Sequence, residues 1–362
     1  MGAGADNETS ESTMRAEGES VRGELPLSDF QKTLEQCVGK LGGRVKHCGR
    51  SAFHHLRRAW ALYGVDNEMS AFRAITAEEE AASALILSLQ QKRYPGAKRL
   101  NFRDHVHKAA LTPFLDAVAK VLALLDFAKP TLRLKPDEDP PRLEVFVDMS
   151  RAGLRSPEPL FAQPDEPLNF VVRMENEDGP ATVHMFAHEL RQIAEGRGVD
   201  TIKAFLEAEA NQRNRLLYAT DTGIPQVSFE EGFLLERLRR VTVLLTLTIA
   251  IQQTPQHQLF AVQCVEAFLR ALERMAGDGY DFGSLIQEPT SGIVVRKAHD
   301  KEPVTMFRRS YTFSATPRFR ISPMFQVMLN IAEGSTSYEV LPVLNVIMVF
   351  ASTGRTALAL PV

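Results

Sequence analysis

Between Ser28 and Phe127, apolar residues recur at three- and four-residue spacings, the period that gives an α-helix one apolar face, and the runs break only at turn residues. The stretch SDFQKTLEQCVGKLGG (28–43) opens with the capping-box pair Ser28 and Gln31 and closes on a double glycine. A second helical stretch covers 45–63. The segment 66–93 holds the period as far as Tyr94-Pro95-Gly96, after which Asn101 and Asp104 offer caps for a helix running toward Phe127. Four successive amphipathic helices must bury their stripes against one another, so a helical bundle is expected over 25–128.

The rest of the chain reads differently. KPTLRLKPDEDPPR (129–142) is charged and proline-rich and is expected to be a linker. Beyond it, LEVFVDM and LNFVVRM have the β-branched and aromatic content of short strands. Helices are predicted at 182–195, 199–219, 228–253 and 256–276, and strands at 292–297, 304–313 and 318–321. The apolar tail YEVLPVLNVIMVFAST, broken by Pro342, reads as buried core. Residues 1–24 are small, polar and acidic, too poor in apolar groups to offset the entropy of ordering, and are expected to be a disordered tail. The expected organisation is mainly α: an N-terminal helical bundle, then an α+β domain over 143–362. A length of 362 residues with 44% hydrophobic content suits two such units.

Charge and thiols restrict the function. A net charge of -3 excludes a chain that coats nucleic acid by bulk electrostatics, so any nucleic-acid site must be focal. MFRRSYTFSATPRFR (306–320) is such a patch. It interleaves Arg308, Arg309, Arg318 and Arg320 with Phe307, Tyr311, Phe313 and Phe319, without an acidic residue. Cations beside aromatic faces suit single-stranded nucleic acid, and the same alternation is expected of a half-buried hairpin. Cys37, Cys48 and Cys264 form no paired motif and suit reduced thiols. The longest apolar run, VTVLLTLTIAI (241–251), is far short of a membrane span of about 20 residues, so a cytoplasmic chain with no membrane partner is expected. Arginine outnumbers lysine 30 to 12, in keeping with a GC-rich bacterial genome. His184 and His188 stand one helical turn apart beside Glu189, but not in the order of a zincin. Neither a metal site nor a cofactor is predicted, because no Walker, dinucleotide or G-x-S-x-G pattern appears, and SRAGLRSPEP (150–159) reads as a loop.

The stretch RLNFRDHVHKAA (99–110) crowds two arginines and two histidines into the opening of an otherwise apolar helix. On a helical wheel with Val106 at zero, the apolar stripe of the helix spans roughly 0–120°, Arg103 falls near 60° and His107 near 100°, while His105 takes the opposite face. On the preceding helix, Glu78 lies within the stripe defined by Ala82, Leu85, Ile86 and Leu89, with Glu79 at its edge. Buried charges need partners, so Arg103, His107 and Glu78 are expected to meet in one network across two helices.

A helical bundle with an arginine, a closely following histidine and an acidic residue on the neighbouring helix resembles the HEPN family, including its abortive-infection relatives. That family's motif leaves four to six residues between arginine and histidine. Here Arg103 to His107 leaves three, Arg99 to His105 five and Arg50 to His55 four. The resemblance implies a metal-independent ribonuclease in a defence or toxin setting, acting as a homodimer on RNA. His107 would shuttle a proton, Arg103 would steady the phosphate and Glu78 would orient them. The alternative is a non-catalytic protein that binds a protein partner or nucleic acid, in which the Arg/His/Glu network is structural.

Overall fold

The computed structural model describes residues 23–123, 131–148, 161–164, 166–176, 179–199, 201–216 and 228–276, with strands at 292–296, 307–310 and 319–321. The expected disordered tail, up to residue 22, the loop at 150–159 and the apolar tail beyond residue 337 lie outside them.

The protein is mainly α. Helix α1 (Asp29–Lys40) is held at its start by the capping box read from the sequence: Gln31 N donates to Ser28 Oγ, and Ser28 N donates to Gln31 Oε1. Helix α2 (Gly43–Leu62) lies against it so closely that a side chain at Gly49 would meet Val38 at 2.5 Å. Helix α3 (Asn67–Gln91) is capped by Asp66, whose carboxylate accepts from Met69 N. Its buried face is largely alanine, including Ala74, Ala77, Ala81, Ala82 and Ala84, which lets neighbouring helices approach closely. Helix α4 (His105–Ala123) completes the first set.

Helices α5 (Ala187–Glu195), α6 (Ile202–Arg215), α7 (Glu231–Gln252) and α8 (Leu259–Ala276) follow. Helix α7 runs through the middle of the molecule, packing on α1, α2 and α3. That position explains its apolar run, because a helix surrounded by protein must be apolar on nearly every side. Its three interior threonines, Thr242, Thr246 and Thr248, donate back to carbonyls four residues earlier and so leave no hydroxyl stranded. No described helix is long and apolar enough to cross a membrane.

The segment expected to be a linker is structured. Residues Thr131–Lys135 form strand β1, antiparallel to β2 (Arg142–Asp148), with Lys135 opposite Arg142. The prolines that suggested a linker lie in and beside the turn of this hairpin, where a missing N–H costs nothing. The hairpin packs on α1 and α7, and Leu143 N donates to Gln253 Oε1 at 2.8 Å. One hydrophobic cluster runs through both halves, so the division expected at 129–142 does not separate two cores.

Strands β3 (Phe161–Pro164) and β8 (Phe319–Ile321) extend the first sheet in the order β1-β2-β3-β8. Strands β4 (Val172–Asn176), β5 (Gly179–Val183), β6 (Gly292–Arg296) and β7 (Phe307–Ser310) form a second in the order β5-β4-β6-β7, with β4 and β6 parallel. Residues 182–183, read as helical, end β5 instead.

Candidate functional site

The opening of α4 departs from its helical wheel. The chain turns over 101–104, with Asn101 Oδ1 accepting from Arg103 N and Asp104 Oδ1 capping Val106 N. The first helical residue is therefore His105, and Arg103 stands before the helix, outside the geometry the wheel assumed. It is exposed, with its guanidinium 5.4 Å from the centre of the Phe102 ring. His107 is half-buried and does not meet it: Nδ1 accepts the backbone N–H of Asn101 at 3.0 Å. Burial lowers the pKa of His107, with Asp104 acting weakly against that. The neutral ring then carries its proton on Nε2.

Glu78 is buried as predicted, but its partners come from elsewhere. Thr112 of α4 and Arg237 of α7 donate to its carboxylate, and Arg240 Nη1 lies 3.5 Å away. Burial alone would raise this carboxyl; the charges of Arg237 and Arg240 and the Thr112 hydroxyl bring it down to about 2. The network continues outward. Arg237 Nη2 donates to Gln212 Oε1 at 3.1 Å and its guanidinium lies over Phe233, while Arg240 Nε donates to Glu236 Oε1 at 3.0 Å. Asp116, on the same side of α4, has its carboxyl raised by burial, with Arg240 opposing. Four helices, α3, α4, α6 and α7, are thus joined by one hydrogen-bonded network centred on a buried ion pair, and the expected triad of Arg103, His107 and Glu78 is not assembled.

Glu79, read as an edge residue, is just as buried as Glu78, at 5% exposure each. It takes His105 Nδ1 at 2.9 Å and Lys108 Nζ at 2.9 Å. Lys108 is buried, whereas the His105 side chain is 49% exposed. His105, assigned to the polar face, is therefore the histidine that a carboxylate orients.

The other arginine and histidine pairs are also apart. Arg99 is bound to Glu273 of α8, Arg50 is exposed, and His55 Nδ1 lies 3.3 Å from Arg73 Nη1. His184 and His188 do not converge. His184 is buried with Nε2 at 3.1 Å from Glu189 Oε2, off hydrogen-bond geometry, while exposed His188 sits against Gln192. Among the described residues, no group of three or more His, Cys, Asp or Glu could hold a metal ion. Cys37, Cys48 and Cys264 are free thiols whose pKa values burial raises, to about 11 for the first two.

Arg308 and Arg309 lie in β7 and Arg320 in β8; Tyr311 and Arg318 fall outside the described residues. The two strands do not form the hairpin that local alternation suggested. Strand β7 pairs with β6 at the edge of one sheet, and β8 pairs with β3 at the edge of the other.

Arg237 and Arg240 were not singled out from the sequence, although a signal was present. They fall four residues before Val241 and Leu244, on the buried stripe of an otherwise apolar helix. Comparison with protein-family models, curated proteins and solved structures finds no match to this chain.

Proposed function

We propose that this chain is a non-catalytic interaction protein whose buried Arg/Glu network holds α3, α4, α6 and α7 in register. The carrying observation is Glu78: a fully enclosed carboxylate engaged by Thr112, Arg237 and Arg240 has no face left for a substrate. The separate engagement of Arg103 on Phe102 and of His107 with Asn101 supports the same reading. The reading assigns the protein to the cytoplasm, in keeping with three free cysteines. It is tested by incubating the purified chain with labelled single-stranded RNA in EDTA. Intact RNA with both wild type and His107→Ala is expected, and RNA cut by the wild type, whether or not His107→Ala still cuts, would sink it.

One observation favours a second reading, metal-independent RNA cleavage in a bacterial defence setting. Glu79 holds His105 through Nδ1, which directs Nε2 away from the carboxylate on a half-exposed ring, two residues after exposed Arg103. In that arrangement Nε2 takes the proton of a ribose 2′-hydroxyl and O2′ attacks phosphorus. The 5′-oxygen leaves, taking a proton from solvent water, to give a 2′,3′-cyclic phosphate, while Arg103 neutralises the phosphate. A second copy of the chain would supply the partner motif. The discriminating result is cleavage lost in His105→Ala and kept in His107→Ala.

A further inference from the structure

Helix α2, GRVKHCGRSAFHHLRRAWAL, contains five arginine or lysine residues and no acidic one, in a chain whose net charge is -3. Its buried side is apolar: Val45, Cys48, Ala52, Phe53, Leu56, Ala59 and Trp60 face the core. Every exposed side chain larger than alanine is cationic or imidazole, namely Arg44, His47, Arg50, His54, Arg57 and Arg58. At 1.5 Å per residue this face is about 30 Å long, with a basic group on each turn of about 5.4 Å.

Little of that charge is neutralised by the fold. Arg57 is paired with Glu35 through two bonds of 2.6 Å, whereas Lys46, Arg50 and Arg58 have no ion-pair partner among the described residues. A row of like charges repels itself, which marks a surface whose counter-charge arrives from outside. At the start of α2, Arg44 lies 4.5 Å from the centre of the half-buried Phe102 ring, which Arg103 also approaches. Two guanidinium groups ordered on one aromatic ring present planes on which an unpaired base can stack.

The nature of the face selects among polyanions. A membrane-binding helix sinks an apolar side into the lipid, but the apolar side of α2 is already packed on protein. A protein partner would ordinarily seek a buried apolar anchor, and the outward face offers none. We infer that the outward face of α2 binds the phosphate backbone of a single-stranded nucleic acid, with an unpaired base against Arg44, Phe102 and Arg103. The inference names a partner for the interaction reading. It does not depend on the role of Glu78, which urea unfolding of Glu78→Ala tests separately.

The experiment is fluorescence anisotropy of the full chain with short labelled single-stranded RNA, single-stranded DNA of the same sequence, the matching duplex, and vesicles of anionic phospholipid. Single strands are expected to bind, with a log-log salt slope of about -0.7 per phosphate engaged. Binding of RNA alone would assign the site to RNA, and binding of both strands to the shared backbone; either supports the inference. Arg50→Glu with Arg58→Glu is expected to weaken binding by at least about 10-fold and to flatten the salt slope by about 0.7 for each phosphate no longer neutralised. Exposed Arg191→Glu on α5 should bind as wild type. If the charge-reversed chain melts early, Arg50→Gln with Arg58→Gln serves instead. Unchanged affinity in a folded α2 variant, preference for the duplex, or binding to vesicles alone would overturn the inference.

Discussion

Glu78 and Glu79 are neighbours on α3, equally buried, and yet they belong to two different kinds of region. Glu78 faces α7, where Arg237 and Arg240 close around it and nothing in the set is exposed beyond 14%. Glu79 faces the start of α4, where Lys108 beside it is buried and His105 beside it is half in solvent. Burial of a carboxylate therefore does not by itself distinguish a structural group from one that could act. What distinguishes them is whether a titratable partner reaches the surface.

That contrast orders the expected losses. Glu78→Ala leaves buried Arg237 without its carboxylate and takes one of two carboxylates from Arg240, and should cost about 3–5 kcal/mol of unfolding free energy, measured by urea denaturation. Lys108→Ala removes a buried partner of Glu79, and a loss of about 1–3 kcal/mol is expected in the same assay; a loss as large as that of Glu78→Ala would erase the distinction. His107→Ala removes one acceptor from a backbone N–H at the edge of solvent, for about 0.5–1.5 kcal/mol. Arg103→Ala should fall within about 0.5 kcal/mol of wild type, because the side chain is exposed.

Acid sharpens the same comparison. The Glu78 carboxyl stands at about 2 in the folded chain against an ordinary value of 4.5, so its contribution is complete above about pH 4.5 and is lost as the pH falls toward 2. Asp116 runs the other way. Burial raises its carboxyl, so the stability linked to it is present at low pH and lost as the pH rises through that raised value. Asp116→Asn should therefore hold or raise the melting temperature at pH 7, and a marked fall would show that its charge is needed.

Local rules made the helices legible. The capping box of Ser28 and Gln31, the Asp66 cap and the apolar periods of α1 to α4 could be read directly, because each depends on residues within one or two turns. The opening of α4 failed for an equally local reason, since the Asp104 cap placed Arg103 outside the helix on which its direction had been calculated. Partners were harder. Glu78 meets Arg237 across 159 residues, and no helical wheel of one element can name its neighbour. The strands at 307–310 and 319–321 looked like a hairpin but join different sheets, a non-local choice that alternation cannot carry. The prolines of 136–141 hid a hairpin because they occupy its turn rather than its ladder. The basic face of α2 was not singled out, although 20 residues without one carboxylate carried the signal.

The most direct test is urea unfolding of wild type, Glu78→Ala and His105→Ala side by side at pH 7. The account predicts a loss of about 3–5 kcal/mol for Glu78→Ala and under about 1 kcal/mol for His105→Ala, whose side chain is half-exposed. Equal losses, or the larger loss in His105→Ala, would contradict the division between a closed structural network at Glu78 and an open site at Glu79.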